Sequence, residues 1–115
     1  MVTAEEKLRE ALAVVDVLLK QEPKERNVLI LHANVLRDLS RALTDQDKYA
    51  QAQELLEQAL QGHRAVQDTR NEATTLGELG TLAAMQRDYA QASSRFLQAI
   101  EEVAAQGLVT RSMRR

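Results

Sequence analysis

Apolar residues fall at Leu8, Leu12, Val15, Leu18 and Leu19, a spacing of threes and fours that gathers on one face of a helix. "TAEE" at 3–6 places Thr3 where it can cap the first turn, with Glu6 three residues on to reach back as in a capping box. Pro23 ends this element, because proline disfavours helical geometry in the residue before it. The spacing returns at Val28, Leu31, Val35, Leu36, Leu39 and Leu43, predicting a second helix from about Lys24 with Pro23 as its starter. "TDQD" at 44–47 is a polar break, and "KYAQAQELLEQALQGHRAV" beyond it predicts a third helix that Gly62 weakens or ends. "TRNE" at 69–72 repeats the capping-box pattern and opens a fourth helix to about Gln86. After "RD" at 87–88 a fifth runs from Tyr89 to about Gln106, with Gly107 as its stop. Short breaks between long helices predict antiparallel hairpins.

The pattern is written more than once. At an offset of forty, Leu36 falls on Leu76, Leu39 on Leu79, Ser40 on Gly80, Tyr49 on Tyr89, Ala52 on Ala92, Leu56 on Phe96 and Ala59 on Ala99. Leu8, Ala11 and Val15 take the places of Tyr49, Ala52 and Leu56. A helix-pair period near forty residues is the mark of a solenoid. Small residues such as Ala52, Ala59, Gly80, Ala92 and Ala99 let helices approach closely, and each hairpin leaves an apolar face that stacking must cover.

These residues resemble the tetratricopeptide repeat (TPR) family. In that motif a bulky residue and a Leu precede a small residue on helix A, and helix B begins with Tyr and carries two alanines seven apart. Leu76, Leu79, Gly80, Tyr89, Ala92 and Ala99 hold those places, with Phe96 between the alanines. Leu36, Leu39, Ser40, Tyr49, Ala52, Leu56 and Ala59 hold them in the preceding hairpin. The first helix is similar to a helix B without its helix A, closing on "KQEP". The period exceeds the usual 34 residues, which points to the long-helix subclass, similar to kinesin light chains and bacterial signalling arrays. Ser40 stands where glycine is commoner, and Asp47 and Arg87 stand where the family usually has a glycine before helix B. The resemblance implies an all-α fold of about five helices, stacked as a right-handed solenoid. One domain is expected over 1–115: an orphan helix B at 3–22, repeat one at 24–62, repeat two at 69–106 and a tail at 107–115.

Composition agrees and narrows the chemistry. Four glycines, one proline and three aromatics in 115 residues suit an all-helical chain. Cysteine is absent, which excludes disulfides, thiolate metal sites and a thiol nucleophile. The charged start "MVTAEEKLRE" lacks the apolar core of a signal peptide, and no apolar run nears the roughly 18–20 residues that cross a bilayer. A cytoplasmic protein is the expectation. The net charge of −2 lacks the basic stripe of a nucleic-acid binder, and Arg111, Arg114 and Arg115 read as a frayed, solvated end. Neither nucleic acid nor membrane is an expected partner.

Candidate catalytic groups are sparse. His32 and His63, the only histidines, lie on different helices without metal-ligand spacing. His32 reads as partly exposed and His63 as near a helix end. No Gly-rich phosphate loop or nucleophile elbow occurs. The acidic pairs at 5–6 and 101–102 are adjacent on a helix and do not converge. Tyr49 and Tyr89 read as core residues. No enzyme, cofactor or metal is expected.

The resemblance places a peptide-binding surface on the concave face. In this chain that implies Asn34, Arg37 and Arg41 in repeat one, and Thr74, Gly77, Thr81 and Met85 in repeat two. Arg37 and Arg41 could hold an acidic peptide, or simply pair with Asp38 and Asp45 on a wet surface. Asp38 and Glu78 stand where the Hsp-binding members of the family use asparagines to clamp a terminal carboxylate. The expected function is a protein–protein interaction module or scaffold that takes a peptide or helix in this groove. The alternative is a structural module whose exposed terminal helices, around Leu12 and Leu108, form a homodimer or a longer solenoid.

Overall fold

The computed structural model describes residues 2–113, with side chains described as far as Gly107. Five helices follow in chain order: α1 (Ala4–Gln21), α2 (Arg26–Asp45), α3 (Tyr49–Ala65), α4 (Thr69–Met85) and α5 (Tyr89–Met113). Each packs on the next, and α3 lies between α2 and α4. The result is the all-α hairpin stack that the forty-residue period predicts.

The ends of the helices have local causes. Thr3 caps α1, accepting from the Glu6 N–H at 3.1 Å. The expected start of α2 is corrected by two residues. Pro23 sits in the connection rather than inside the helix, and Glu25 is the cap, its carboxylate accepting from the Val28 N–H at 2.9 Å. At α4 the cap is Asp68, whose Oδ1 accepts from the Asn71 N–H, and not Thr69. Glu72 therefore does not reach back; its carboxylate binds Arg64 at 2.6 Å.

The three later connections are the same turn, twenty residues apart. Asp47, Gln67 and Arg87 have φ of 61°, 56° and 63°. In each, the residue after this one donates to the carbonyl five back: Lys48 to Leu43, Asp68 to His63 and Asp88 to Ala83, all at 2.9 Å. This is the Schellman closure of a helix end. It holds a non-glycine residue in left-handed geometry at a cost of about 1 kcal/mol. The absent glycines at 47 and 87 are therefore replaced by residues carrying the same backbone shape.

Glycine does not stop helices here. Gly62 lies inside α3, where a Cβ would come within 3.1 Å of the Ala33 Cβ, so it serves the close approach of α2 and α3. Gly107 is also helical. It lacks the left-handed φ that closes a helix, and α5 continues to Met113. The expected tail at 107–115 is thus largely helix; Arg114 and Arg115, and the side chains of Leu108 and Arg111, lie outside the described residues.

The main core joins α2, α3 and α4 through Leu43, Ala52, Leu56, Leu60, Leu76, Leu79 and Leu82. A second cluster of Ala33, Leu36 and Ala59 takes Leu12 of α1 against it. Leu12, expected at an exposed end, is therefore a packed residue. At the small-residue position of helix A, the two hairpins use different solutions. Ser40 donates to the Ala52 carbonyl at 3.0 Å. Gly80 instead leaves bare backbone on which the Phe96 ring rests, and a Cβ there would stand 2.7 Å from it.

Candidate functional site

The expected concave residues divide among different settings. Arg41, Thr81 and Met85 line a cleft of about 300 Å³ between α2 and α4, with Met85 49% exposed. Thr74 lines a separate groove between α4 and α5, and Asn34, Arg37 and Gly77 line neither.

The arginines bind across the repeat boundary. Arg41 bonds Glu78 at 2.6 Å, with Asp38 3.6 Å away, and Arg37 donates to Asn71 Oδ1 at 3.3 Å. Arg37 Nε lies 4.0 Å from the same Glu78 carboxylate. Glu78 raises the Arg41 guanidinium above its ordinary value. These bonds join α2 to α4 and leave little free positive charge for an acidic peptide. Of the two expected surface partners, Asp38 is present and Asp45 is replaced by Glu78. The sequence could not show this, since Glu78 is thirty-seven residues away.

His32 is partly exposed and His63 lies in the last turn of α3, both as expected, and each has a partner on a neighbouring helix. His32 Nε2 stands 3.3 Å from Asp16 of α1. His63 is fully buried, with Nδ1 3.1 Å from Thr75 Oγ1. Burial first, and then Arg37, lowers its pKa, so the core holds it neutral. Among the described residues no three His, Cys, Asp or Glu side chains gather to hold a metal ion. No helix of the described residues is long and apolar enough to cross a membrane.

The larger open surface lies elsewhere. A groove of about 900 Å³ runs between the start of α4 and the second half of α5. Ala73, Ala99, Ile100, Val103 and Ala104 give it apolar walls, and Arg26 and Arg70 stand at its rim. Arg26 is committed, donating to the Val66 carbonyl. Beside the groove, α5 presents Tyr89, Phe96, Leu97, Ile100 and Val103 to solvent, with exposures between 39% and 65%. Tyr89 is thus a surface residue, whereas Tyr49 packs on the core and donates to Asp47 at 2.9 Å. On the inner side of α5, Arg95 bonds Glu57 at 2.5 Å. Burial, and then sharing with Glu72, raises the Glu102 carboxyl.

A tetratricopeptide repeat model matches residues 31–101, from the second turn of α2 into the second half of α5. The chain belongs to the tetratricopeptide repeat family. No curated protein and no solved structure matched it. The matched span covers most of both hairpins of this TPR chain and ends within the exposed stripe of α5. Membership carries the family's general role, protein–protein interaction, and not the identity of a partner.

Proposed function

We propose that this TPR chain is an interaction scaffold that takes an amphipathic helix on the open face of α4 and α5. The observation that carries this reading is a pair of equivalent positions. Leu60 on α3 is fully buried, while Ile100, forty residues on, is 64% exposed beside the large groove. A docked helix would lie on α4 and α5 as α4 lies on α2 and α3. The stripe it needs is already written twice, as Ala33, Leu36, Leu39 and Leu43 and as Ala73, Leu76, Leu79 and Ala83. Binding of this kind buries apolar residues in a preformed groove, so little ordering of the receptor opposes it.

The concave cleft is a second reading, supported by exposed Met85 next to Arg41 and Thr81. No catalytic role is assigned. The forty-residue spacing also supports placing the chain with the long-helix, kinesin-light-chain-like members of the family.

A labelled peptide of residues 69–88, the chain's own α4, tests the docking site by fluorescence anisotropy with the full chain. Saturable binding in the micromolar range is expected. It should be lost with Ile100→Glu and Val103→Glu together and kept with Arg41→Ala and Met85→Ala. The reverse pattern would move the site to the concave cleft, and no binding would refute helix docking.

A further inference from the structure

The open face has features that select its occupant. Positions 89, 93, 96, 100, 103 and 107 step along α5 by fours and threes, the spacing of a helix that pairs lengthwise with another. Tyr89, Phe96, Ile100 and Val103 on this line are all exposed, with exposed Leu97 beside it. We propose that two copies of this chain pair through an antiparallel, two-fold contact of α5 with α5, the two α4–α5 hairpins closing as a four-helix bundle. This rests on the docking reading above and names a second copy as what docks.

Size supports the pairing. When the line is reversed on itself about the level of residue 98, Phe96 meets Ile100, Val103 meets Ser93 and Tyr89 meets Gly107. Each layer then sets a larger side chain against a smaller one, or Phe against Ile at the centre. Gly107 is the smallest residue on this line. It lies within α5, where glycine costs about 1 kcal/mol relative to alanine, and a Cβ there would meet nothing within 4 Å. A large Tyr89 from a second copy supplies a close neighbour that the described residues of the single chain do not.

Charge supports it too. Ser93, Ser94 and Gln98 are exposed and uncharged along the middle of the helix, so no like charges meet there and Gln98 faces its own copy. At the rim, Arg70 has no ionic partner among the described residues. The carboxylate of Asp88, at the other end of the stripe, accepts only from the Gln91 N–H among them. Gly80 lies against Phe96, which sets Arg70 level with Gln106 in the antiparallel hairpin. The reversal brings Asp88 of the second copy within about a turn of that level.

Light scattering of the full chain over a range of concentrations tests the pairing. The expected mass at high concentration is twice 12.9 kDa. Ile100→Glu with Val103→Glu should return it to one chain with the helical circular dichroism unchanged, and Arg70→Glu should weaken association several-fold. Because the chain has no cysteine, oxidation of a Ser93→Cys/Val103→Cys variant should link two copies, whereas Val103→Cys alone should not. A one-chain mass throughout, a dimer that the glutamates leave intact, or cross-linking through Val103→Cys alone would each overturn the proposal. A one-chain mass with the 69–88 peptide still binding would overturn self-pairing and leave the docking face standing.

Discussion

Helices α3 and α5 are two drafts of one helix with opposite fates. Both begin at a Tyr after the same left-handed turn, and both carry alanines seven apart that meet the preceding helix A. On α3, Leu56 and Leu60 are buried at 3% and 0% because α4 lies across them. On α5, Phe96 and Ile100 hold those positions at 39% and 64%. The difference teaches that residue type sets which face of a repeat helix is apolar, and the neighbour sets whether that face is core or surface. An uncovered copy of a core-forming face is an association site.

The largest effect expected from this comparison is on stability. Leu60→Ala should cost about 3 kcal/mol, since it removes a buried side chain and leaves a cavity. Ile100→Ala, its counterpart, should change dilute-chain stability by less than about 0.5 kcal/mol. Urea unfolding measured well below the association concentration checks both. Equal losses would mean that α5 is packed like α3.

A smaller effect separates the two ways of joining helix A to helix B. Gly80→Ser should displace the Phe96 ring and cost about 1 kcal/mol, the low end for overpacking because the ring is part-exposed and can swing aside. Phe96→Leu in the same chain should recover most of it, reproducing the Ser40 and Leu56 pair of the first hairpin. A double-mutant cycle gives the coupling; additive losses would show that the ring does not depend on the missing Cβ.

The pH dependence distinguishes the same two helices. His63 on α3 has a folded pKa below its ordinary 6.5, while α5 has Val103 at the matching place. Below pH 6.5 the unfolded chain takes up a proton that the folded core refuses, so stability is complete above that pH and falls as pH drops through it. Replacing both partners, His63→Leu with Thr75→Val, should flatten this arm of the stability curve. The carboxyl of Glu102 has the opposite sign. Its folded pKa is raised, so its contribution is lost as pH rises, and Glu102→Gln should remove that loss.

Much of this was legible in the residues. Helical spacing, the breaks at Pro23, 44–47 and 87–88 and the forty-residue register defined five helices to within a few residues at every end but the last, and the buried stripes of α2, α3 and α4 followed from periodicity. What escaped depends on backbone geometry or on distant neighbours. Asp68 rather than Thr69 caps α4 because the cap is chosen by where the chain turns, and several cap-competent residues stand side by side. Gly107 fails to stop α5 because a glycine ends a helix only in left-handed geometry. Arg37 and Arg41 find Asn71 and Glu78, and His63 finds Thr75, across pairs of helices whose packing no local pattern encodes. The exposure of Tyr89 and Phe96 was hidden for the opposite reason, since their pattern is that of a core.

Thiol labelling at the two matched positions tests the account most directly, because cysteine is absent from the natural chain. Leu60→Cys and Ile100→Cys are labelled separately with a maleimide, first in dilute solution and then at rising protein concentration. The account predicts that the Leu60→Cys thiol stays protected throughout. The Ile100→Cys thiol should react quickly when dilute and become protected as the chains associate. Protection of the Ile100→Cys thiol in dilute solution, or unchanged reactivity at every concentration, would contradict it.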